Sequence, residues 1–394
     1  MQSNRKYFIA FGTRPEAIKL APLAHELIRL VGRNNVFVCN TGQHRDLVKN
    51  VLDDFNLIED CNLELMKVDQ TPTTFLIDAV PELEIKIVAF RPDFVIVQGD
   101  TTSGLAAAMA AKFNKFHVAH VEAGLRTHDW RNPFPEELNR ELIGRLSDVH
   151  FAATKIGMEN LISEGVGIEK IHVTGNTAID SLFFMSETVG DIEPEQILKA
   201  LKPIDQSKHH QTLYNSVENK EFVLVTLHRR ESFGEEIEEA FKAVNTLAKK
   251  YRNYTFLIPA HPNPNVREAI KRVLEGENES GHNLFVCEPL NYKTMVAVLK
   301  NSVLVITDSG GIQEEAPAVG VPVVVARYAT ERTESISLNL AFLAGPNYEN
   351  IVSMSSSILD SESTRAEYKK NRISPYGDGK AVVRIAKILQ DQFA

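Results

Sequence analysis

The sequence predicts an α/β protein made of two doubly wound parallel-sheet domains. The chain has 394 residues, which exceeds one typical domain and suffices for two separate cores. Short β-rich apolar runs alternate with longer helical patterns along almost its whole length. These runs lack the polar alternation of half-exposed strands, so we expect parallel strands covered by helices on both faces. Repeated βα units of this kind are typical of doubly wound domains.

The elements follow in order. In the first half the predicted strands are Tyr7–Phe11, Val36–Cys39, Phe94–Gln98, His117–Val121 and Val149–Ala152. Helices are predicted between them, among others at Pro15–Leu30, Ser103–Phe113 and Glu136–Leu146. In the second half the predicted strands are Phe222–Leu227, Thr255–Pro259, Leu284–Val286, Val303–Thr307 and Pro322–Ala326.

A change in composition marks the domain boundary. We place a linker near Asn176–Ile192 and interpret the polar stretch Ser207–Lys220 as a surface excursion of the second domain. The polar stretch Ser361–Ser374 is interpreted as a connector leading to a short amphipathic helix from about Lys380. The predicted first domain is therefore residues 1–177 plus a C-terminal helix at 378–394, and the second is residues 178–377.

Composition excludes several classes of function. A net charge of −9 gives no broad attraction to nucleic acid or to an anionic membrane. No run approaches the roughly 20 apolar residues of a membrane helix. The cysteines Cys39, Cys61 and Cys287 are far apart and suit a reducing compartment, so we expect a cytoplasmic protein. No metal-ligand spacing and no GxGxxG fingerprint occurs, so we expect neither a metal nor a cofactor.

Two strand-to-helix turns favour an anionic ligand. Gly12 to Glu16 follow the first strand, with Arg14 at the helix N-terminus and Lys19 one turn later. Ser309, Gly310 and Gly311 open the helix after Val303–Thr307, and Glu315 could accept hydrogen bonds from a ribose diol. Arg332 adds a cation near the same sheet edge. The alternative interpretation of both turns is purely structural helix capping.

Acidic groups and a histidine also follow predicted strands. Asp100 and Glu122 end successive strands, and Glu136 begins the next helix, so we expect all three carboxylates to face one cleft. Crowding drives their pKa values apart, which suits acid–base catalysis. His228 ends the first strand of the second domain and could support a leaving phosphate or move protons. N-capping remains the alternative role for Asp100 and Glu136.

Taken together, nine motifs in order resemble the non-hydrolysing UDP-N-acetylglucosamine 2-epimerases, a family with the Rossmann-like, two-domain GT-B architecture. The motifs are Gly12–Pro22 (GTRPEAIKLAP), Thr41–His44 (TGQH), Gln98–Thr102 (QGDTT), His120–Thr127 (HVEAGLRT), Pro135–Arg140 (PEELNR), Gly175–Asp180 (GNTAID), His228–Glu231 (HRRE), Asp308–Pro317 (DSGGIQEEAP) and Pro375–Gly379 (PYGDG).

The resemblance implies a reaction and a set of roles. UDP is eliminated from the UDP-sugar to give 2-acetamidoglucal and then added back, with the C2 proton returned to the other face. Asp100, Glu122 and Glu136 would be the acid–base carboxylates, and His228 would stabilise the departing diphosphate. The nucleotide would be held by Arg14, Lys19, Ser309, Gly310, Gly311, Glu315 and Arg332. Gln43 and His44 match part of an allosteric site, and a homodimer is expected.

Other functions remain open at this point. The close alternatives are a hydrolysing relative that releases N-acetylmannosamine and UDP, and a 2-epimerase of a modified UDP-sugar. Two hypotheses come from other functional classes: a GT-B glycosyltransferase and a non-catalytic nucleotide-sugar sensor. The sequence also departs from the family pattern, with Thr333 in place of a proline and Asn339-Leu340 in place of Gly-Thr. Asn339 can adopt a left-handed backbone, whereas Leu340 lacks a hydroxyl.

Overall fold

The structure is a computed structural model that describes residues 5–43, 45–67, 69–131, 133–204, 221–229, 233–275 and 283–391. The chain divides into two compact units. The N-terminal unit comprises Met1–Phe184 and Tyr376–Ala394, and the C-terminal unit comprises Met185–Pro375. The sequence-based boundaries at 177 and 378 are a few residues from these limits.

The N-terminal unit contains a seven-stranded parallel sheet with the order β3-β2-β1-β4-β5-β6-β7. Its strands are β1 Tyr7–Phe11, β2 Val36–Asn40, β3 Cys61–Asn62, β4 Phe94–Gln98, β5 His117–Ala123, β6 Val149–Ala152 and β7 Ile171–Val173. Its helices are α1 Arg14–Val31, α2 Arg45–Asp54, α3 Pro72–Phe90, α4 Thr102–Phe113, α5 Glu136–Leu146, α6 Lys155–Ser163, the first part of α7 Thr177–Val189 and the C-terminal α16 Ala381–Asp391.

The C-terminal unit contains a six-stranded parallel sheet with the order β10-β9-β8-β11-β12-β13. Its strands are β8 Phe222–Thr226, β9 Thr255–Pro259, β10 Leu284–Cys287, β11 Ser302–Thr307, β12 Val323–Val325 and β13 Ala341–Leu343. Its helices are α8 Pro194–Ala200, α9 Glu235–Lys250, α10 Pro264–Ile270, α11 Tyr292–Lys300, α12 Gly310–Ala318, α13 Thr333–Ser337, α14 Tyr348–Leu359 and α15 Glu362–Asn371.

The predicted fold class, two parallel-sheet α/β domains, is confirmed. All five residues of β1, β4 and β8 are buried, because helices cover both faces of each sheet. Each unit has its own apolar core, and the alanine-rich run Ala106–Ala111 packs within that of the N-terminal unit. Full burial of one large aliphatic side chain contributes about 1.5–3 kcal/mol. None of the helices in the described residues is long and apolar enough to cross a membrane.

Two segments predicted as connections between the domains contain helices that were not predicted. The stretch predicted as a linker, Asn176–Ile192, is mostly the helix α7, whose first half is buried on all sides, and the boundary between the two units lies within it. The predicted connector Ser361–Ser374 contains α15, a helix with no buried residue, so its sequence shows no apolar periodicity. The polar excursion Ser207–Lys220 lies outside the described residues.

The C-terminal helix α16 belongs to the N-terminal unit. Asp180 in α7 receives backbone hydrogen bonds from Ala381 and Val382 at 3.2 and 3.0 Å. Burial raises the pKa of Asp180 to about 6. The carboxylate therefore satisfies free amides at the start of α16 and ties the end of the chain to this unit.

Candidate active site

The two sheets position the candidate residues at the points where strand order reverses. In the N-terminal sheet the reversal lies between β1 and β4, which are neighbours although two strands separate them in sequence. In the C-terminal sheet it lies between β8 and β11. Open parallel sheets bind ligands beyond the carboxyl ends of the strands at this reversal. Arg14 and Asp100 follow β1 and β4, whereas His228 and Ser309 follow β8 and β11.

Glu122 lies near the end of β5 and is held by donors from three other elements. Lys19 on α1 places its Nζ 2.6 and 2.7 Å from the two carboxylate oxygens. The Asn176 Nδ2 donates to Oε1 at 2.7 Å, and the Gln98 side-chain amide donates to Oε2. Glu122 is buried, and an ammonium with two amide donors stabilises the ionised form of a carboxylate.

The backbone around Glu122 is also unusual. Glu122 has a φ of +60°, a left-handed conformation that is rare for a residue with a long side chain. A register irregularity in the pairing of β5 with β6 falls at this position. Strain of this kind persists where the surrounding structure enforces it, and it is found frequently at functional sites. The same irregularity turns the Glu122 side chain away from the regular alternation of the strand.

His120 supports the turn after β4. Its Nε2 lies 2.7 Å from the Gly99 carbonyl oxygen, directly before Asp100. Burial lowers the pKa of His120 to about 3, so the ring is neutral. Because a carbonyl only accepts, the Nε2 must carry the proton and donate it. His117, three residues earlier, is exposed, as expected for opposite faces of a strand.

Asp100 and Glu136 have different surroundings. Arg140 on α5 binds Asp100 Oδ2 through Nε at 2.9 Å and Nη2 at 2.8 Å, and its Nη1 contacts buried Glu137 at 2.8 Å. Glu136 is the first residue of α5 and is half-buried. Within the described part of the chain, its carboxylate has no hydrogen-bond or ion-pair partner. Asp100 is thus held by Arg140, whereas Glu136 is not held by a described neighbour.

Glu16 joins the loops that follow β1 and β4. Its Oε2 accepts from the backbone amides of Gly12 and Thr13 at 3.0 and 2.8 Å and from the Thr13 hydroxyl at 2.8 Å. Its Oε1 accepts from the Thr101 hydroxyl at 2.6 Å. Burial raises the pKa of Glu16. The loop carrying Arg14, which is half-buried at the start of α1, is therefore fixed to the loop carrying Asp100.

Asp308 organises the end of β8 in the C-terminal unit. Its Oδ2 accepts from the backbone amides of His228 and Arg229 at 2.7 and 2.8 Å. Its Oδ1 lies 3.2 Å from the His228 Nδ1, and the His261 ring stacks on His228 with centroids 5.3 Å apart. Burial lowers the pKa of His228, and nearby Asp308 opposes that shift. The carboxylate therefore lies beside the imidazole, and its negative charge favours the protonated form of the ring.

The N-terminus of α12 has the features of an anion site. Ser309 is its N-cap, and Gly310 and Gly311 are its first residues. The Arg332 guanidinium packs against Gly310, where an added Cβ would lie 3.0 Å from Cζ. Arg332 is buried, with Nε 2.9 Å from Glu314 and Nη1 2.8 Å from Glu331. The Arg332 guanidinium and the first backbone amides of α12, those of Gly310 and Gly311, therefore lie at one helix N-terminus.

The remaining predicted residues have separate positions. Glu315 accepts a hydrogen bond from the Tyr292 hydroxyl at 3.1 Å and lies one turn inside α12. Gln43 accepts from the Ser103 hydroxyl at 2.7 Å, whereas His44 lies outside the described residues. At the departures from the family pattern, Asn339 has the expected left-handed φ of +55°, and Leu340 is buried. Thr333 begins α13, a position that also suits proline.

Several side chains that contact the predicted site residues, or hold the loops that carry them, were given no role from the sequence. They all lie within motifs that were recognised: Glu16, Gln98, Arg140, Asn176 and Asp308. The signal that could have found them is their polarity beside a buried strand end or helix start. Among the described residues, no group of three or more His, Cys, Asp or Glu side chains could hold a metal ion.

The structure is that of a two-domain α/β enzyme, with carboxylates after the strands near one strand-order reversal and a helix N-terminus beside Arg332 near the other. Comparison with known proteins identifies its family. A family model described as UDP-N-acetylglucosamine 2-epimerase matches residues 30–390. The UDP-N-acetylglucosamine 2-epimerase of Campylobacter jejuni is 39% identical over 387 residues, which cover 98% of this chain and 97% of that protein. The chain therefore belongs to the UDP-N-acetylglucosamine 2-epimerase family, as its motifs predicted.

Solved structures agree with this assignment. The UDP-GlcNAc 2-epimerase of Neisseria meningitidis, bound to UDP-GlcNAc, matches with a TM-score of 0.84 and 38% identity, covering 98% of this chain and 99% of that one. The UDP-GlcNAc 2-epimerase of Methanocaldococcus jannaschii, in complex with UDP-GlcNAc and UDP, matches with a TM-score of 0.77 and 31% identity. The match covers 98% of this chain and 99% of that one. The reaction class expected from the motifs, epimerisation, is confirmed at the level of the family.

Proposed function

We propose that this protein interconverts UDP-GlcNAc and UDP-ManNAc reversibly, by anti elimination of UDP to 2-acetamidoglucal and re-addition. The observation that carries the proposal is the buried Glu122 carboxylate, held by one ammonium and two amide donors at the carboxyl edge of the sheet. The C2 hydrogen of the sugar has no adjacent carbonyl and is not acidic. Its removal therefore requires a positioned base and a stabilised leaving group in the same step.

In this proposal the proton moves among Glu122, Asp100 and Glu136. A base takes the C2 proton while the C1–O bond breaks, the C1–C2 double bond forms, and the electron pair leaves with UDP. Re-addition delivers a proton to the opposite face of C2 and a UDP oxygen to C1. The ion pair with Lys19 and the two amide donors support Glu122 as the base, and the half-buried position of Glu136 at the start of α5 supports it as a second group that carries the proton.

UDP is then both leaving group and nucleophile, so its contacts contribute to catalysis. We assign the diphosphate to His228, Ser309, Gly310, Gly311 and Arg332. The backbone amides of Gly310 and Gly311 at the start of α12 and the guanidinium beside Gly310 support this assignment. Glu315 is assigned to the ribose and Arg14 to the nucleotide. Lys19 was expected to hold UDP, but its close pair with Glu122 supports a role beside the base as well.

The finer features of the proposal concern regulation, assembly and location. Gln43 is assigned to a second-substrate site that activates the enzyme, so rate against substrate should be sigmoidal. A homodimer is proposed, and the exposed apolar residues Ile77, Ile85 and Val88 on α3 support a covered face there. A cytoplasmic location is proposed, and the free thiols of all three cysteines agree with a reducing compartment. The product would supply surface-polysaccharide synthesis.

Chromatographic analysis of nucleotides over time tests the reversible form. With purified protein, UDP-GlcNAc and EDTA, the two UDP-sugars should reach a constant ratio from either direction while free UDP stays at trace level. A matched reaction of Glu122→Gln should show no conversion. Continuous accumulation of UDP and free N-acetylmannosamine would instead identify a hydrolysing enzyme. Loss of activity with EDTA would contradict metal-free catalysis.

A further inference from the structure

We infer that Asn176 is a positioning residue that fixes the orientation of Glu122 and favours its ionised form during proton removal. This inference rests on the proposed function, in which Glu122 acts on the C2 proton. Asn176 lies immediately before α7 and is buried in the N-terminal unit. It is far from Glu122 in sequence and reaches it through its side-chain amide.

The contacts of Asn176 determine which way its amide points. The Oδ1 accepts a hydrogen bond from the Ala178 backbone amide at 3.0 Å, as an N-terminal residue of a helix does. The Nδ2 therefore faces the other way and donates to Glu122 Oε1 at 2.7 Å. The Asn176 backbone amide also donates to the Tyr376 carbonyl at 2.6 Å, which holds the main chain in place. An amide with one oxygen engaged at the helix start can present only its donors to Glu122.

The groups around Glu122 explain why the Asn176 side-chain amide affects the charge of this carboxylate. Lys19 from α1 and Gln98 from β4 donate to the same carboxylate. On β5 itself, the pKa of His120 is lowered to about 3 by burial, so that ring adds no charge. Asp100, after β4, is already paired with Arg140. A second carboxylate in the position of the Asn176 Nδ2 would have to share the Lys19 ammonium with Glu122, so the two carboxylates would repel each other.

A structural role and a positioning role make different demands on this residue. The cap at α7 needs only an acceptor, which aspartate supplies as well as asparagine. The contact with Glu122 needs a donor, which ionised aspartate lacks. Asn176→Asp is therefore nearly isosteric, preserves the cap, and replaces the donor at 2.7 Å by a like charge. The two roles are separated by one substitution.

The experiment measures kcat, KM and the pH profile of the wild type, Asn176→Asp and Asn347→Asp. Asn347 is an exposed N-cap of α14 in the C-terminal unit and accepts from the Asn350 amide at 2.9 Å, so it controls for added charge at a helix start. We expect Asn176→Asp to lower kcat about 10- to 100-fold with KM changed less than about threefold. The acidic limb of its profile of kcat against pH should move up by about one to two pH units, because the new carboxylate at position 176 and Glu122 resist ionising together. Asn347→Asp should match the wild type.

The inference is overturned by one combined result. In it, Asn176→Asp unfolds at the wild-type temperature, keeps kcat within threefold of the wild type, and shows the wild-type acidic limb in its profile of kcat against pH. If that variant does not fold, Gln98→Glu places the same charge against Glu122 from β4, and an unchanged profile there overturns the inference equally. Carbon-13 NMR of glutamate-labelled protein gives a readout that needs no turnover, with Glu122→Gln identifying the resonance. Wild-type protein without epimerase activity would refute the proposed function, whereas a Glu122 titration unaffected by Asn176→Asp refutes only the inference.

Discussion

Replacement of Asp308 by asparagine should slow turnover through its effect on His228. The substitution keeps an oxygen that can accept from the His228 and Arg229 amides, which donate at 2.7 and 2.8 Å. It removes the negative charge 3.2 Å from the His228 Nδ1. At an effective dielectric constant of about 20, that pair interacts by about 5 kcal/mol. Because the ring is one-third exposed, solvent reduces this to about 2–3 kcal/mol, or about 30- to 150-fold in kcat.

The pH dependence of kcat should also change in Asp308→Asn, and its direction follows from the pKa of His228. Burial lowers the pKa of His228 and Asp308 opposes that shift, so Asp308→Asn should lower it further. If a protonated ring stabilises the leaving diphosphate, the alkaline limb of kcat should move to lower pH. Asp148→Asn is the matched control, because Asp148 accepts from the Val118 amide at 2.8 Å and pairs with Lys112 at the opposite end of β5. An Asp308→Asn enzyme with kcat within threefold of wild type and an unmoved alkaline limb would refute the reasoning.

Further predictions concern stability and reactivity. Gly12→Ala should lower the free energy of unfolding by about 1–3 kcal/mol, because its Cβ would lie 2.1 Å from a hydroxyl oxygen, whereas Gly311→Ala meets nothing within 4 Å; urea denaturation compares them. Cys61 should be alkylated by iodoacetamide with a half-maximal rate near pH 7, because a hydrogen bond from Cys39 lowers its pKa to about 7; a profile centred near pH 9 would contradict this. Burial lowers the pKa of His150 to about 4, so the unfolded state binds the proton first as pH falls below 6.5. The free energy of unfolding should therefore drop by about 3 kcal/mol from pH 6.5 to 4, and His150→Gln should remove that part of the pH dependence. Parallel curves of unfolding free energy against pH for the wild type and the variant would exclude this contribution of His150.

The fold was predictable from sequence where burial is uniform. The strands Tyr7–Phe11, Phe94–Gln98 and Thr255–Pro259 match the prediction residue for residue, because continuous apolar runs mark strands covered on both faces. The strands Cys61–Asn62 and Ala341–Leu343 were not predicted, since two or three residues give no periodicity. The exposed helix α15 has no buried face and therefore left no apolar pattern.

The site was predictable in its residues more than in its contacts. Strand ends indicated Asp100 and Glu122, because ligands bind beyond the carboxyl edge of parallel sheets. The ion pair from Lys19 to Glu122 spans 103 residues, so no local pattern shows it. The contact from Asn176 spans 54 residues and depends on the position of the segment between β7 and α7. Partners of this kind are a property of the tertiary structure.

Proton NMR in heavy water tests the central claim, reversible elimination and re-addition at C2, most directly. Purified protein is incubated with UDP-GlcNAc without added metal or nicotinamide, and the C2 proton signal is followed together with the anomeric signals. The account predicts deuterium at C2 of both UDP-sugars at a constant final ratio, and no exchange with Glu122→Gln. Epimerisation with full retention of the C2 proton would contradict it, because a proton released to these carboxylates must exchange with solvent during the lifetime of the glucal.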